Sequence, residues 1–354
     1  MARRINEALG IKYPIVQSPM AWVATPPLVA AVCNAGGLGL LSASGQTPEA
    51  LREEIHEVRR LTGNKPFGVN LVPVSPKYQE QFRVVLEEKI EILNSGLRNP
   101  FVMHKMKKPD GIFYIPTVGS VRQALSVEKF GADAVIVQGW EGGGHASGIA
   151  SMVLIPEVSA AVRIPVVAAG GFSDGRGLAA ALALGAAGIA MGTRFATTQE
   201  SPIPTKLKEK YVEARDSDAV LSSNWDGFAM RVIPGEGMRH YRGWWTHPWD
   251  VIPSFFAAKE AYNASLRDMI ETAKGAREVH ANLMQFLVGL EMNRQALLTG
   301  DIERSFTPSG QVAGRITDVP TCKELMDRIV REAEESIRDL AALPIAGRPG
   351  RTAN

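Results

Sequence analysis

The sequence predicts an α/β fold, a (β/α)8 TIM barrel with a smaller, mainly helical lid domain. Three observations lead there. Short apolar or β-branched runs alternate with longer helical patterns over residues 10–200. Eight strand–helix units can be read in succession. Glycine-rich segments fall just past several of the strands, where a barrel gathers its chemistry.

The units run as follows. Residues 14–19 form the first strand, and Thr25 with Pro26 opens a helix over 25–35 that Gly36-Gly37 ends. The second strand is 38–42. Thr47-Pro48-Glu49-Ala50 starts a helix that reaches Leu61, with Gly63 as its stop. Strand 67–72, helix 76–89 and strands 90–94 and 112–118 follow. A helix over 120–130, closed by Gly131, leads to strand 134–138, and a helix near 149–162 leads to strand 164–169. Ser173-Asp174-Gly175-Arg176 caps a helix to Leu184, and 188–191 is the eighth strand. The same units could form a doubly wound open sheet; eight strands with intervening helices favour closure.

Beyond residue 200 the pattern changes. The stretch to Ser254 reads as loop-rich and carries Trp225, Trp244, Trp245 and Trp249, placed in lid core or in the wall of an apolar pocket. Residues 255–298 read as helical. A turn at Pro308-Ser309-Gly310 precedes a last helix over 321–340. The expected organisation is a barrel over 1–200, a lid over 201–305, a return to the barrel over 306–343, and a disordered tail over 344–354.

Bulk composition narrows the function. With 39 basic and 37 acidic residues the chain has a formal charge of +2, which argues against nucleic acid as the main partner. The two cysteines, Cys33 and Cys322, have no Cys or His partner at zinc-ligand spacing. They read as buried free thiols rather than a disulfide. The N-terminal residues lack the apolar run of a signal peptide. The longest uncharged stretch, 177–193, is too short for a membrane span and is broken by Gly185 and Gly188. A cytoplasmic protein without a membrane partner is expected.

The chemistry should sit where the strands end. Just past them stand Ser18-Pro19-Met20-Ala21, Asn70, Gln138 through His145, Ala169-Gly170-Gly171, and Met191-Gly192-Thr193-Arg194-Phe195. Glycine lets backbone approach a ligand and can aim N–H groups at an anion. Gly170-Gly171 and Gly192-Thr193, following consecutive strands, have the placement of a phosphate site. Gly142-Gly143-Gly144 would weaken helix or strand, so this segment is expected to be a loop built for close approach. His145 follows it and can transfer a proton near neutral pH. Glu141 is read as orienting the loop or His145, or as a solvated carboxylate. The other five histidines read as structural or exposed. No Walker A sequence and no strand-linked G-x-G-x-x-G is present, so any nicotinamide would bind without a Rossmann domain.

In combination, Pro14 to Met20, Phe67-Gly68-Val69-Asn70, Gly131 through His145, Ala169-Gly170-Gly171-Phe172 and Gly185 to Phe195 resemble the successive motifs of nitronate monooxygenases. The likeness spans about residues 10–200 and resumes at Ser309-Gly310-Gln311. The resemblance implies non-covalent FMN. The Met20 backbone and Asn70 would face the isoalloxazine, and Gln138 would hydrogen-bond the flavin or its ribityl chain. Gly143, Gly170, Gly171, Met191, Gly192 and Thr193 would complete the cofactor site, mostly around the phosphate. His145 would stand over the flavin as catalytic base or as donor to substrate oxygens.

That family implies oxidation of small alkyl nitronates by O2 to carbonyl compounds and nitrite, with homodimerisation possible. The same superfamily contains NAD(P)H-dependent reductases of enoyl thioesters and of quinones. Trp22 and Val23 depart from the small residues usual after Met20-Ala21. The Gly-Gly-Gly-His loop and Ser309 to Gly314 resemble steroid-catabolic acyl-CoA reductases equally well. Under that alternative the basic stretch His104-Lys105-Met106-Lys107-Lys108 would hold coenzyme A phosphates.

Overall fold

The computed structural model describes residues 5–343 except 74, 76, 97, 98, 100, 102–105, 239, 240, 242–248, 250 and 262–282. Trp244, Trp245, His104, Lys105 and the tail 344–354 therefore lie outside the described residues. The parallel strands are β1 (Ile15–Gln17), β2 (Leu38–Ser42), β3 (Gly68–Leu71), β4 (Ile92–Ser95), β5 (Phe113–Tyr114), β6 (Thr117–Val118), β7 (Val135–Gln138), β9 (Val166–Ala169) and β10 (Gly188–Met191). Their order is β5-β4-β3-β2-β1-β10-β9-β7-β6.

The two ends of that order, β5 and β6, are consecutive in the chain, and this closes the sheet. Residues 113–118 form one stave, interrupted at Pro116, which has no N–H to give. On one side the Ile115 amide donates to Leu93 O at 2.9 Å; on the other the Ile136 amide donates to Pro116 O at 2.8 Å. Eight staves therefore form the predicted (β/α)8 barrel.

Alternation along the strands sorts the core. Val16, Leu40, Ile92, Ile136, Val167 and Ala190 cluster together in the interior. Their neighbours Ile15, Leu41, Leu93, Val135, Val137 and Ile189 pack instead with residues of the surrounding helices. The same parity puts Asn70, Asn94 and Gln138 on the inner face at the strands' C-terminal ends.

The outer helices follow the punctuation in the sequence. Thr47 Oγ1 accepts from the Ala50 amide at 3.2 Å to cap Pro48–Thr62, and Gly63 ends that helix at φ 62°. Its buried stripe is Leu51, Ile55 and Val58. The outer helix that completes the barrel after β10 is Cys322–Ala342, opened by a Thr321/Glu324 capping box. It packs against Gly175–Ala183 and Pro26–Asn34. Gly175 allows close contact there, because a Cβ would stand 2.3 Å from the Ala333 amide nitrogen.

Between the last strand and this helix the chain is more ordered than the loop-rich reading expects. Thr205–Glu213 is helical, and β11 (Val220–Ser222), β12 (Met230–Pro234) and β13 (Phe306–Pro308) form an antiparallel sheet. Its fourth strand, β8 (Gly144–His145), comes from the supposed glycine loop: His145 lies opposite Met230 and Gly144 opposite Arg231. Glycine's weak strand preference is overridden because the β12 edge supplies the pairing. Val251–Ala261 and Leu283–Thr299 are helical, as expected.

Candidate active site

Strand register assembles one contiguous arc at the barrel mouth. Gln17 pairs with Met191, Ala190 with Ala169, and Ala169 with Gln138. The segments that follow these strands carry Met20, Gly192-Thr193, Gly170-Gly171 and the 139–145 loop. Asn70 stands two strands away, on β3. All predicted site residues thus lie at the same end of the barrel.

The glycines form a bare-backbone cradle. Gly170 and Gly171 adopt φ 97° and 82°, a left-handed conformation that glycine takes without steric penalty. A Cβ on Gly192 would meet nothing nearer than Met20 Sδ at 3.6 Å, and one on Gly171 nothing nearer than Glu141 Cβ at 3.5 Å. The segment 309–311 closes the cradle from the far end of the chain. The Gly310 amide donates to Thr193 Oγ1 at 3.0 Å, and the Gln311 amide to Glu141 O at 3.0 Å. Bare glycine backbone at the end of parallel strands suits the close approach of a phosphate.

Met191 and Asn70 are held differently. Met191 packs its side chain in the apolar core, and its carbonyl accepts from the Ser18 amide at 2.9 Å. Asn70 Nδ2 donates to Asn94 Oδ1 at 2.7 Å. Asn94 in turn donates to Ile115 O at 2.6 Å and to Thr117 Oγ1 at 3.2 Å. Asn94 and Thr117 are part of this network but were not singled out in the sequence.

Gln138 organises the His145 loop. Its Nε2 donates to Gly143 O at 3.2 Å and to His145 O at 3.0 Å. Glu141 does not orient His145. Its carboxylate accepts from the Ser151 amide at 3.0 Å and from Ser151 Oγ at 2.8 Å, capping the helix Ser151–Ala161. Buried Arg231 clamps the same loop from β12, donating to Trp140 O from Nε at 3.2 Å and from Nη2 at 3.0 Å. Its third contact is with Ala219 O at 2.8 Å.

His145 Nε2 lies 2.7 Å from Asp226 Oδ2. Asp226 is only 5% exposed, whereas the His145 side chain keeps 32% of its surface open. Burial works against the imidazolium, but the Asp226 charge and hydrogen bond together outweigh it and hold the His145 pKa above the ordinary histidine value. Sequence reading missed Asp226, although a signal was present. Asp226-Gly227 lies between the apolar runs at 219–221 and 228–233, a hairpin-turn dipeptide. The other described histidine, His56, is exposed and pairs with Glu88 at 2.9 Å.

The basic stretch does not reach this mouth through Lys108. Lys108 Nζ pairs with Asp133 at 2.6 Å, just before β7 begins and so at the opposite end of the barrel. Trp225 is core: it stacks on Tyr241 at 5.9 Å and contacts Phe306 at 5.2 Å. Trp249 is exposed.

A family model described as nitronate monooxygenase matches residues 3–89 and 72–332. The chain belongs to the nitronate monooxygenase family. It is an oxidoreductase. It is 37% identical over 349 residues to the (3aS,4S,5R,7aS)-5-hydroxy-7a-methyl-1-oxo-octahydro-1H-indene-4-carboxyl-CoA dehydrogenase of Rhodococcus jostii, covering 96% of this chain and 98% of that protein. It is 32% identical over 290 residues to a probable nitronate monooxygenase of Staphylococcus aureus, covering 68% of this chain and 81% of that protein. Among solved structures, FabK from Thermotoga maritima aligns with a TM-score of 0.78 at 35% identity, over 96% of this chain and 99% of that one. Among the described residues no helix is long and apolar enough to cross a membrane, and no His/Cys/Asp/Glu group could hold a metal ion.

Proposed function

We propose that this family member is an FMN-dependent oxidoreductase that exchanges a hydride and a proton with a coenzyme A thioester. The observation that carries the reading is His145 at 2.7 Å from buried Asp226, at the barrel end that also carries the glycine segments. An alkyl nitronate has already lost its proton and needs no such pair. A hydroxyl-bearing or saturated acyl thioester must give one up. The match to a CoA dehydrogenase over nearly the whole of both chains supports the same choice.

The cradle fits FMN. Gly143, Gly170, Gly171, Gly192 and Thr193 would take the phosphate, with Met20, Asn70 and Gln138 toward the rest of the cofactor. Bound FMN supplies the acceptor or donor of the hydride. In the oxidative direction neutral His145 takes the substrate's proton as the hydride departs; in the reductive direction its protonated form gives one back. Residues 1–200 would bind FMN, 201–305 would cover the mouth, and 306–343 would return the chain to the barrel.

Nitronate oxidation with O2 is the second reading, supported by the Staphylococcus aureus relative. The two separate in steady state. With an artificial electron acceptor added to reoxidise the flavin, thioester chemistry predicts turnover of a cyclic or β-hydroxy acyl-CoA, none of the free acid, and no nitrite from propionate 3-nitronate. Nitrite release with inert thioesters would reverse the choice.

A further inference from the structure

We propose that Asp226 is the positioning residue that keeps the His145 proton on Nε2 and so leaves Nδ1 as the atom that exchanges a proton with substrate. This rests on the proton-transfer role proposed for His145. An ionised carboxylate only accepts hydrogen bonds, so the 2.7 Å contact requires Nε2 to be the donor. Nδ1 has no protein partner among the described residues.

The carboxylate is itself fixed. Asp226 Oδ1 accepts from the Phe228 amide at 3.0 Å, and Gly227 makes that turn possible at φ 92°. Next to it, Trp225 is buried against Tyr241 and Phe306, anchoring the tip of the β11–β12 hairpin. Phe228 meets the imidazole edge-on, with ring centroids 5.5 Å apart and planes at 82°. The fourth restraint is backbone: β12 pairs Met230 with His145, four residues beyond Asp226. Hairpin and barrel loop therefore form one unit around the ring. The neighbouring charges are engaged elsewhere, Arg231 on Trp140 and Ala219 carbonyls and Glu141 on Ser151.

The pairing also assigns the outcome of each substitution. Asp226→Asn presents an amide that can donate to Nε2 and drive the proton onto Nδ1, removing the base. Asp226→Glu retains an acceptor. ¹⁵N NMR of the neutral imidazole, recorded above the raised His145 midpoint and with His145 assigned by its loss in His145→Gln, reads the tautomer without any substrate. The expected result is protonation at Nε2 in the wild type and a reversal or mixture in Asp226→Asn. Oxidative turnover should fall about 10²–10⁴-fold in Asp226→Asn, the range for losing general acid–base help, with the midpoint of its pH profile moved down and much of the rate restored in Asp226→Glu. A neutral wild-type ring protonated at Nδ1 would overturn the proposal even if Asp226→Asn failed to fold. An unchanged pH profile with turnover within a few-fold of wild type would overturn it too. The expected tautomers in a protein that oxidises no thioester would support the pairing and count against the substrate class alone.

Discussion

Gly143 and Gly310, far apart in the sequence, approach so closely that a Cβ on Gly143 would lie 2.6 Å from the Gly310 amide nitrogen. Both partners are backbone, so neither can rotate away. The contact joins the His145 loop to the segment that hydrogen-bonds Thr193. Gly143→Ala should therefore separate the two walls of the cradle. Overpacking of this kind destabilises by about 1–3 kcal/mol. The expected outcome is a lowered Tm together with at least tenfold weaker FMN binding, measured by fluorescence titration. Wild-type affinity would show that the contact does not shape the cofactor site.

The pH dependence of turnover follows from His145. Its pKa is raised, so the imidazole carries a proton to a higher pH than an ordinary histidine does. Oxidation, which needs the neutral base, should rise with pH and level off above that elevated midpoint. Reduction should fall through the same range. His145→Ala should lower both rates about 10²–10⁴-fold and abolish the titration. A profile that survives the substitution would move the proton-transfer role to another group.

Asp318 ties the end of the barrel to the last helix by holding Arg194 at 2.9 Å and Arg328 at 2.7 Å. Burial works against its carboxylate, but the two arginines outweigh it and hold the pKa below the ordinary value. The stability it contributes is therefore present above the unfolded-state pKa and is lost as pH falls through the depressed folded value. Asp318→Asn leaves Arg194, 3% exposed, without its anion. Because Asp318 is itself partly exposed, the expected destabilisation at pH 7 is about 1–3 kcal/mol, shrinking toward acid pH in urea titrations. An equal loss at pH 7 and pH 3 would contradict the linkage.

Cys33 and Cys322 are free and buried, and desolvation pushes their thiols up to about 11 and about 12. Neither should react with a thiol reagent at pH 8 in the native protein, and both should react after denaturation. Fast labelling of either thiol in the folded state would show local opening around its helix.

The barrel was legible because each unit announces itself locally. Thr47 and Gly63 bound one helix, Thr321 and Glu324 another, and the eight predicted strands recur within a few residues of their observed bounds. The cradle was legible for the same reason, since its glycines directly follow strands. What escaped depends on contacts distant in sequence. Gly144-His145 becomes a strand only because Met230 and Arg231 lie beside it. Asp226 matters only because the hairpin folds back on a histidine 81 residues earlier. Glu141, adjacent to the glycines, drew attention as a partner for His145, yet its bonds go to the helix start at Ser151.

Anaerobic stopped-flow reduction of the bound flavin compares the possible electron donors directly. The protein as purified is mixed in parallel with a β-hydroxy cyclic acyl-CoA, propionate 3-nitronate, NADH and NADPH, and flavin bleaching is followed. The His145–Asp226 pair and the cradle predict rapid bleaching by the thioester, slowed at low pH and nearly abolished in His145→Ala. The nitronate should bleach the flavin slowly or not at all. Fast reduction by the nitronate, unaffected by His145→Ala, with no reduction by any thioester would contradict the proposed function.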